Sequence, residues 1–412
     1  MAVPALIRRN TILIALSQSF AGAGMPLAYG IAPLMVVSLT GSASLAGLSV
    51  GLFGLSRFLV SYPVGKITDA YGRKPGIQLG LVIALVGTLV VALSMTLRSI
   101  VVLASGLLIF GMGMAAAHQL RVAVTDMYPM RQRAQALGYV SLGSLAGLLL
   151  GPLMVGTAEV LAPGLNRDPL SLPWLMLPLL IVSGMVLVTF VRPDPKEIGM
   201  RLSDYFPEAA PTVRGSAPTV SAGAFRAMDL LRRWPTRMAI VSNCAAQANM
   251  SIVMVLTSLV LHHHGHSLTA ISLSHMLHTT GMFAFTIPLG RLADRFGRER
   301  VMYPGVGVAL VGAALVTFTG ALWSVTLGTF LVGLGWAAAN VSATAMIADH
   351  SDTAHRGRAI GVNDSVAGGS SVIAAVVAGP VAEWYGLWAA GLIAVIFAAV
   401  PLAMLAVSRA RR

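Results

Sequence analysis

The chain has 412 residues, of which 56% are apolar and only 10% charged, with a mean hydropathy of +0.80. Soluble chains carry roughly 25% charged residues, so a water-soluble globule is excluded and the solvent must be lipid. The formal charge of +13 then reads as membrane orientation rather than as a nucleic-acid footprint, and the single cysteine, Cys244, excludes disulfides and Cys-pair metal or redox sites.

Apolar runs long enough to cross a bilayer, about 20 residues each, fall into twelve blocks. In the first half they span 12–39, 45–64, 76–96, 100–122, 136–157 and 173–191. The second half supplies 237–261, 269–290, 302–322, 324–347, 359–382 and 386–408. The first block is too long for a cleaved signal peptide and is expected to be retained. With both termini in the cytoplasm, 24 of the 28 Lys and Arg fall on one side, while Arg98 and Arg167 sit in opposite loops. That asymmetry predicts the orientation.

A Pro-rich, charged stretch separates two halves, giving an expected division into 1–192, a cytoplasmic linker 193–235 and 236–412. The halves repeat. Gly65-Lys66-Ile67-Thr68-Asp69-Ala70-Tyr71-Gly72-Arg73-Lys74 returns 225 residues later as Gly290-Arg291-Leu292-Ala293-Asp294-Arg295-Phe296-Gly297-Arg298-Glu299. Asp126, Arg133 and Gly138 recur at a shift of 223 as Asp349, Arg356 and Gly361, and Gly151-Pro152 returns as Gly379-Pro380. Parallel six-span repeats are one way of building a transporter.

The Gly-x-x-x-Asp-x-x-Gly-Arg-Lys/Glu loop, present in both halves, resembles the hallmark of the major facilitator superfamily, and the resemblance covers essentially the whole chain. It implies an all-α membrane fold of twelve helices in two six-helix repeats. It also implies a conformational latch of Gly65, Asp69, Gly72 and Arg73 in one half and Gly290, Asp294, Gly297 and Arg298 in the other. On a plainer reading these residues only anchor the loops on the positive side.

No Gly-x-x-x-x-Gly-Lys-Ser/Thr phosphate loop occurs, since Val60 stands where its first glycine would be, so ATP-driven transport is not expected. Nucleophile elbows and His-Glu-x-x-His are missing too, and the chain is not expected to be an enzyme. None of the fifteen acids falls in the middle of a predicted span, which counts against a multidrug/proton antiporter built on a buried carboxylate. Arg57, eight residues before the hallmark loop, is read as a packing and latch residue.

Two patterns lie near mid-span. The seventh block contains Met250-Ser251-Ile252-Val253-Met254 and the eighth His278-Thr279-Thr280-Gly281-Met282. Each pair is spaced i, i+4 and shares a helix face. Thioethers and a neutral imidazole are soft ligands suited to copper(I), whereas magnesium, calcium and manganese prefer oxygen. Composition alone predicts roughly one Met-x-x-x-Met from this many methionines, and Met between helices commonly fills gaps. Depth, adjacency and a histidine at mid-bilayer are what set the pairs apart.

The two patterns on consecutive spans resemble those of the CcoA-like copper importers, which supply copper for cbb3-type cytochrome c oxidase. That likeness implies Met250, Met254, His278 and Met282 as the copper path. Relatives lacking both patterns are linked to riboflavin. The chain departs from some members in having one cysteine. His262, His263, His264 and His266 follow the seventh block as secondary metal candidates, read equally well as a solvated loop. Met25 and Met35 in the first block, and Met112, Met114 and His118 in the fourth, are further cavity candidates better read as core.

The expected partners are a copper ion as cargo, the lipid bilayer, and a cytoplasmic or membrane copper chaperone. No cofactor and no nucleic acid are expected, and the protein is expected to act as a monomer in a bacterial inner membrane. The rival readings are a carrier of an organic solute such as riboflavin or a drug, and a non-transporting receptor or assembly factor on the same fold.

Overall fold

A computed structural model describes residues 3–117, 119–129, 132–207, 227–351 and 356–410. No β-strand occurs among them. The helices follow the predicted blocks in order. They are α1 (Ala5–Thr40), α2 (Ala46–Tyr71), α3 (Arg73–Leu97), α4 (Ile100–Asp126), α5 (Arg133–Leu148 and Leu150–Leu161) and α6 (Leu172–Thr189). After them come α7 (Trp234–His263), α8 (Leu268–Ala284), α9 (Arg298–Phe318), α10 (Leu322–Asp349), α11 (Arg356–Tyr385) and α12 (Leu387–Ala410).

Ten helical stretches among the described residues are long and apolar enough to cross a membrane. The two predicted blocks outside that set are 45–64 and 269–290. The first falls on α2, where the apolar stretch that qualifies by composition runs only over Ala43–Ser56. The second is one expected span that is two helices: α8 stops at Ala284, and Thr286–Phe296 follows after a break at Phe285.

Proline accounts for this break and for the others, because it donates no N–H to the helix ladder: Pro288 cannot bond to the carbonyl of Ala284. The first span runs as Ala5–Gly22, Gly24–Gly30 and Ala32–Thr40, with Pro26 and Pro33 just past the breaks. α5 breaks at Leu149, three residues ahead of Pro152, which cannot bond to the carbonyl of Leu148.

Residues 1–25 with 55–221 form one compact unit, and 26–54 with 222–412 form another. The second unit therefore takes the end of α1 and the start of α2, which a division at the linker does not. Its internal contacts give the reason. A Cβ on Gly47 would lie 1.7 Å from the Ala375 carbonyl oxygen, and one on Gly379 would lie 2.1 Å from that of Ser44. Ser44 N–H donates to Glu383 Oε2 at 2.6 Å, and the Ser42 hydroxyl donates to the same oxygen.

In α7, 89% of the most apolar 18-residue window is buried, against 28% in α12, so α7 carries the core of its repeat. α3 pairs with α4 in the first unit, and α9 with α10 in the second. Glycines let the backbones touch: a Cβ on Gly87 would lie 2.3 Å from Phe110 N, and one on Gly312 would lie 2.5 Å from Gly328 O. Gly87 and Gly312 are separated by 225 residues, the offset of the hallmark loops.

Candidate functional site

The hallmark loops have the same geometry in both halves. Gly72 (φ 103°) and Gly297 (φ 100°) turn the chain into α3 and α9, in a region that only glycine enters freely. Arg73 Nε then donates to Asp126 Oδ2 at 2.7 Å and Arg73 Nη1 to Thr68 Oγ1 at 3.1 Å. In the second half Arg298 Nε donates to Asp349 Oδ2 at 3.1 Å, and Nη1 pairs with Asp294. Each arginine thus ties the start of one helix to the end of the next inside its own unit. Asp349 is the repeat partner of Asp126 in this role.

One anchor has no described counterpart in the second half. Asp194 accepts from the N–H groups of Arg73 (3.0 Å), Lys74 (2.9 Å) and Lys196 (2.8 Å), and so caps α3 and the short helix Pro195–Met200 together. Gly65, Asp69 and Arg57 are described in backbone only, as are Arg133, Gly138 and Arg356; His118 lies outside the described residues. Gly290 borders the Val341 side chain. Met35 and Met114 are buried core residues.

The second cluster stands between α7 and α8. His275 Nδ1–H donates to the Ile271 carbonyl at 2.9 Å, and its Nε2 lies 3.4 Å from the Ser258 hydroxyl and 3.3 Å from the Met254 carbonyl. With Ser258 beside His275, the antiparallel register sets Met254 level with His278 and Met250 level with Met282. All four positions named from the sequence thus fall on two adjacent turns. Met250, Met254 and His278 are buried at 8%, 2% and 1% exposure, and Met282 is half-buried.

His278 Nδ1–H donates to the Thr329 carbonyl on α10 at 2.8 Å. In the neutral ring that bond puts the proton on Nδ1 and leaves the lone pair on Nε2, which has no hydrogen-bond partner among the described residues and is out of reach of solvent. Metal-binding histidines are held this way, one nitrogen on a carbonyl and the other free. Gly333 permits the close packing, since a Cβ there would lie 2.2 Å from His278 O. The Thr257 and Thr329 hydroxyls, 2.9 Å apart, tie α7 to α10 one turn from Met254.

The loop histidines are arranged differently. His262, His263 and His264 are exposed and His266 is half-buried. His264 Nδ1–H donates to Val260 O at 2.8 Å, and His266 Nε2–H donates to Gly320 O at 3.2 Å. The first bond stays within the end of α7, and the second docks the loop onto Gly320 between α9 and α10. Among the described residues no three His, Cys, Asp or Glu side chains group as a metal site. A site led by methionine falls outside that donor set.

The sequence model of the Major Facilitator Superfamily matches residues 14–227 and 238–412. The chain belongs to that superfamily. It is a secondary transporter by family and fold. Among curated relatives it is similar to the riboflavin transporter RfnT of Brucella anthropi, 25% identical over 90% of this chain and 88% of the relative. It is also similar to the uncharacterized MFS-type transporter YdeG of Bacillus subtilis, 28% identical over 91% and 87%. Among solved structures, a D-xylose-proton symporter superposes with TM-score 0.71 over 96% of this chain and 97% of the other at 14% identity. The nucleoside transporter NupG gives 0.70 in one crystal structure over 97% and 97%, at 12% identity. These two establish the fold alone.

Sequence reasoning missed two functional features of the structure. Asp194 carried no signal beyond its place before Pro195, a common N-cap position. Thr329 acts through its backbone carbonyl, so its side chain gives no hint of the contact with His278.

Proposed function

We propose that this facilitator imports copper across a cytoplasmic membrane by alternating access, with Met250, Met254, His278 and Met282 as its path. One observation carries the reading: a buried imidazole is oriented through Nδ1, its Nε2 without a partner among the described residues, level with the paired methionines. Thioether and imidazole donors favour copper(I) over hard cations. Their neutrality suits a carrier, which must release what it binds. The basic side of the chain supports cytoplasmic termini. By its likeness to the CcoA-like importers, the metal would serve assembly of a cbb3-type oxidase.

Radiocopper uptake tests this in cells expressing the intact chain or Met250→Ala, Met254→Ala, His278→Ala or Met282→Ala. Loss of a ligand or its support commonly costs about 10–100-fold in metal affinity, so uptake is expected to fall at least about tenfold in the His278 variant. Uptake unchanged in all four would overturn the path.

A second reading is favoured by the relatives, one of which is named for riboflavin and another for multidrug resistance; none of those described above is named for copper. Here the cargo is an organic solute and the methionines are cavity wall. This reading predicts riboflavin uptake above vector control that survives Met250→Ala and Met254→Ala, with no radiocopper uptake. Copper uptake without riboflavin uptake would reject it.

A further inference from the structure

Inside the first unit, α1 and α5 touch along a seam of small residues. A Cβ on Gly143 would lie 2.3 Å from the Ala15 carbonyl oxygen, and one on Gly147 would lie 2.0 Å from that of Ser19. The Ser19 hydroxyl donates to the Gly143 carbonyl at 2.6 Å. These contacts lay the two helices side by side in parallel, with Ala15 level with Gly143. One turn earlier, Thr11 stands level with Tyr139.

A cavity of about 440 Å³ opens along this seam, within the range of about 300–1,000 Å³ usual for small-molecule sites. Its lining recurs at helical spacing, with Arg8, Ile12 and Leu16 on α1 and Tyr139, Gly143 and Ala146 on α5. The lining is also graded along its length. Arg8, Thr11, Tyr128 and Tyr139 border the end nearer the start of α1, while Ile12, Ala15, Leu16 and Ala146 carry the groove on toward mid-span. Ile12, Leu16 and Tyr139 are exposed, so the trough is open along its side.

The charge at the polar end is unopposed. Thr11 Oγ1 donates to the Ile7 carbonyl at 2.8 Å and accepts from the Tyr128 hydroxyl at 2.9 Å, so these two groups satisfy each other. Arg9 reaches the Phe190 carbonyl at 3.4 Å. Arg8 is exposed and has no ion-pair partner among the described residues. It is the one charged residue on the cavity lining, which includes no acid. A cation thus stands at the mouth of an apolar trough, at the end of the span where the basic residues collect.

We propose that this groove holds one anionic phospholipid, its phosphate on Arg8 and an acyl chain along Ile12, Leu16 and Ala146. The match is complementary at both ends. A guanidinium offers a phosphate two parallel N–H donors, and hydrocarbon covers exposed apolar side chains at membrane depth. Each basic residue near a membrane surface is worth roughly fivefold in affinity for an anionic headgroup. The site uses none of the residues assigned to the cargo, so it stands whichever cargo is carried.

The test places the purified full-length chain in phosphatidylcholine liposomes with a trace of a lipid bearing a diazirine on its acyl chain. That probe is either phosphatidylglycerol or phosphatidylcholine, and mass spectrometry maps the labelled segments after irradiation. The phosphatidylglycerol probe is expected to label residues 12–16 and 139–146 at least about threefold more than the phosphatidylcholine probe. Arg8→Gln should abolish that preference with thermal unfolding unchanged, whereas Arg98→Gln should keep it. Equal labelling of both segments by the two probes would overturn the site, a comparison that needs no variant to fold. A preference that survives Arg8→Gln would overturn it as well. Loss of the label to excess glycerol phosphate would assign the site to a free phosphate, and loss to excess riboflavin would assign it to cargo; either would overturn the lipid.

Discussion

Replacing Gly87 with valine is expected to deplete folded protein almost completely, whereas Gly307→Ala is expected to be neutral or mildly stabilising. Both glycines sit inside helices, α3 and α9. A Cβ at position 87 would lie 2.3 Å from Phe110 N and 2.5 Å from Phe110 Cα, whereas one at 307 has nothing within 4 Å. Main-chain atoms cannot rotate away, so α3 and α4 would have to part along their shared length. Gly113 shows that the approach is mutual, since its Cβ would meet Ala84 N at 2.2 Å.

Overpacking typically costs about 1–3 kcal/mol, and a backbone clash belongs at or above the top of that range. At Gly307 alanine gains up to about 1 kcal/mol of helix propensity with no clash. Fluorescence-detected gel filtration in detergent reads both variants. A monodisperse Gly87→Val protein at normal yield would refute the tight α3–α4 crossing.

The hallmark glycines separate two costs that are usually confounded. Gly297→Ala is expected to lose about 1–3 kcal/mol through backbone strain alone, because φ is 100° and no atom of the described residues lies within 4 Å of the new Cβ. Gly72→Ala meets the same strain at φ 103°, and its Cβ would also lie 2.7 Å from Asp194 Oδ2. Displacing that carboxylate uncaps two helix starts, each cap contributing about 1 kcal/mol. Gly72→Ala should therefore be the more damaging by about 1 kcal/mol or more.

The pair with Asp194→Ala should be non-additive, because removing the carboxylate removes the clash, and residues in contact couple in this way. Thermal unfolding in detergent measures all of these variants. Equal losses at positions 72 and 297 would mean that Asp194 gives way freely and contributes nothing as a shared cap.

Much of the architecture could be read without coordinates. In lipid every backbone group must bond within its own segment, so long apolar runs become helices whatever surrounds them. The loop motifs at Gly72 and Gly297 were equally visible, because only glycine suits that backbone. The glycines at the helix crossings recur at nearly the same offset and were available as a signal, but a lone glycine in an apolar run looks like ordinary composition. The break of α8 at Phe285 carries the same mark as that of α5, since Pro288 three residues on cannot bond to the Ala284 carbonyl, but the apolar run passes through it and hid the division.

The sequence by itself determined the solvent, the order of twelve helical blocks and their repetition, and it singled out Met250, Met254, His278 and Met282 by spacing. Periodicity and hydropathy act along one segment, and so they survive without knowledge of neighbours. Only the tertiary structure decided that Arg73 pairs with Asp126 and Arg298 with Asp349. It also decided that the Thr329 carbonyl takes the Nδ1 proton of His278, and that residues 26–54 pack with the second half. Each of these depends on which helix lies alongside which, and on groups that come within hydrogen-bond reach only after the chain has folded.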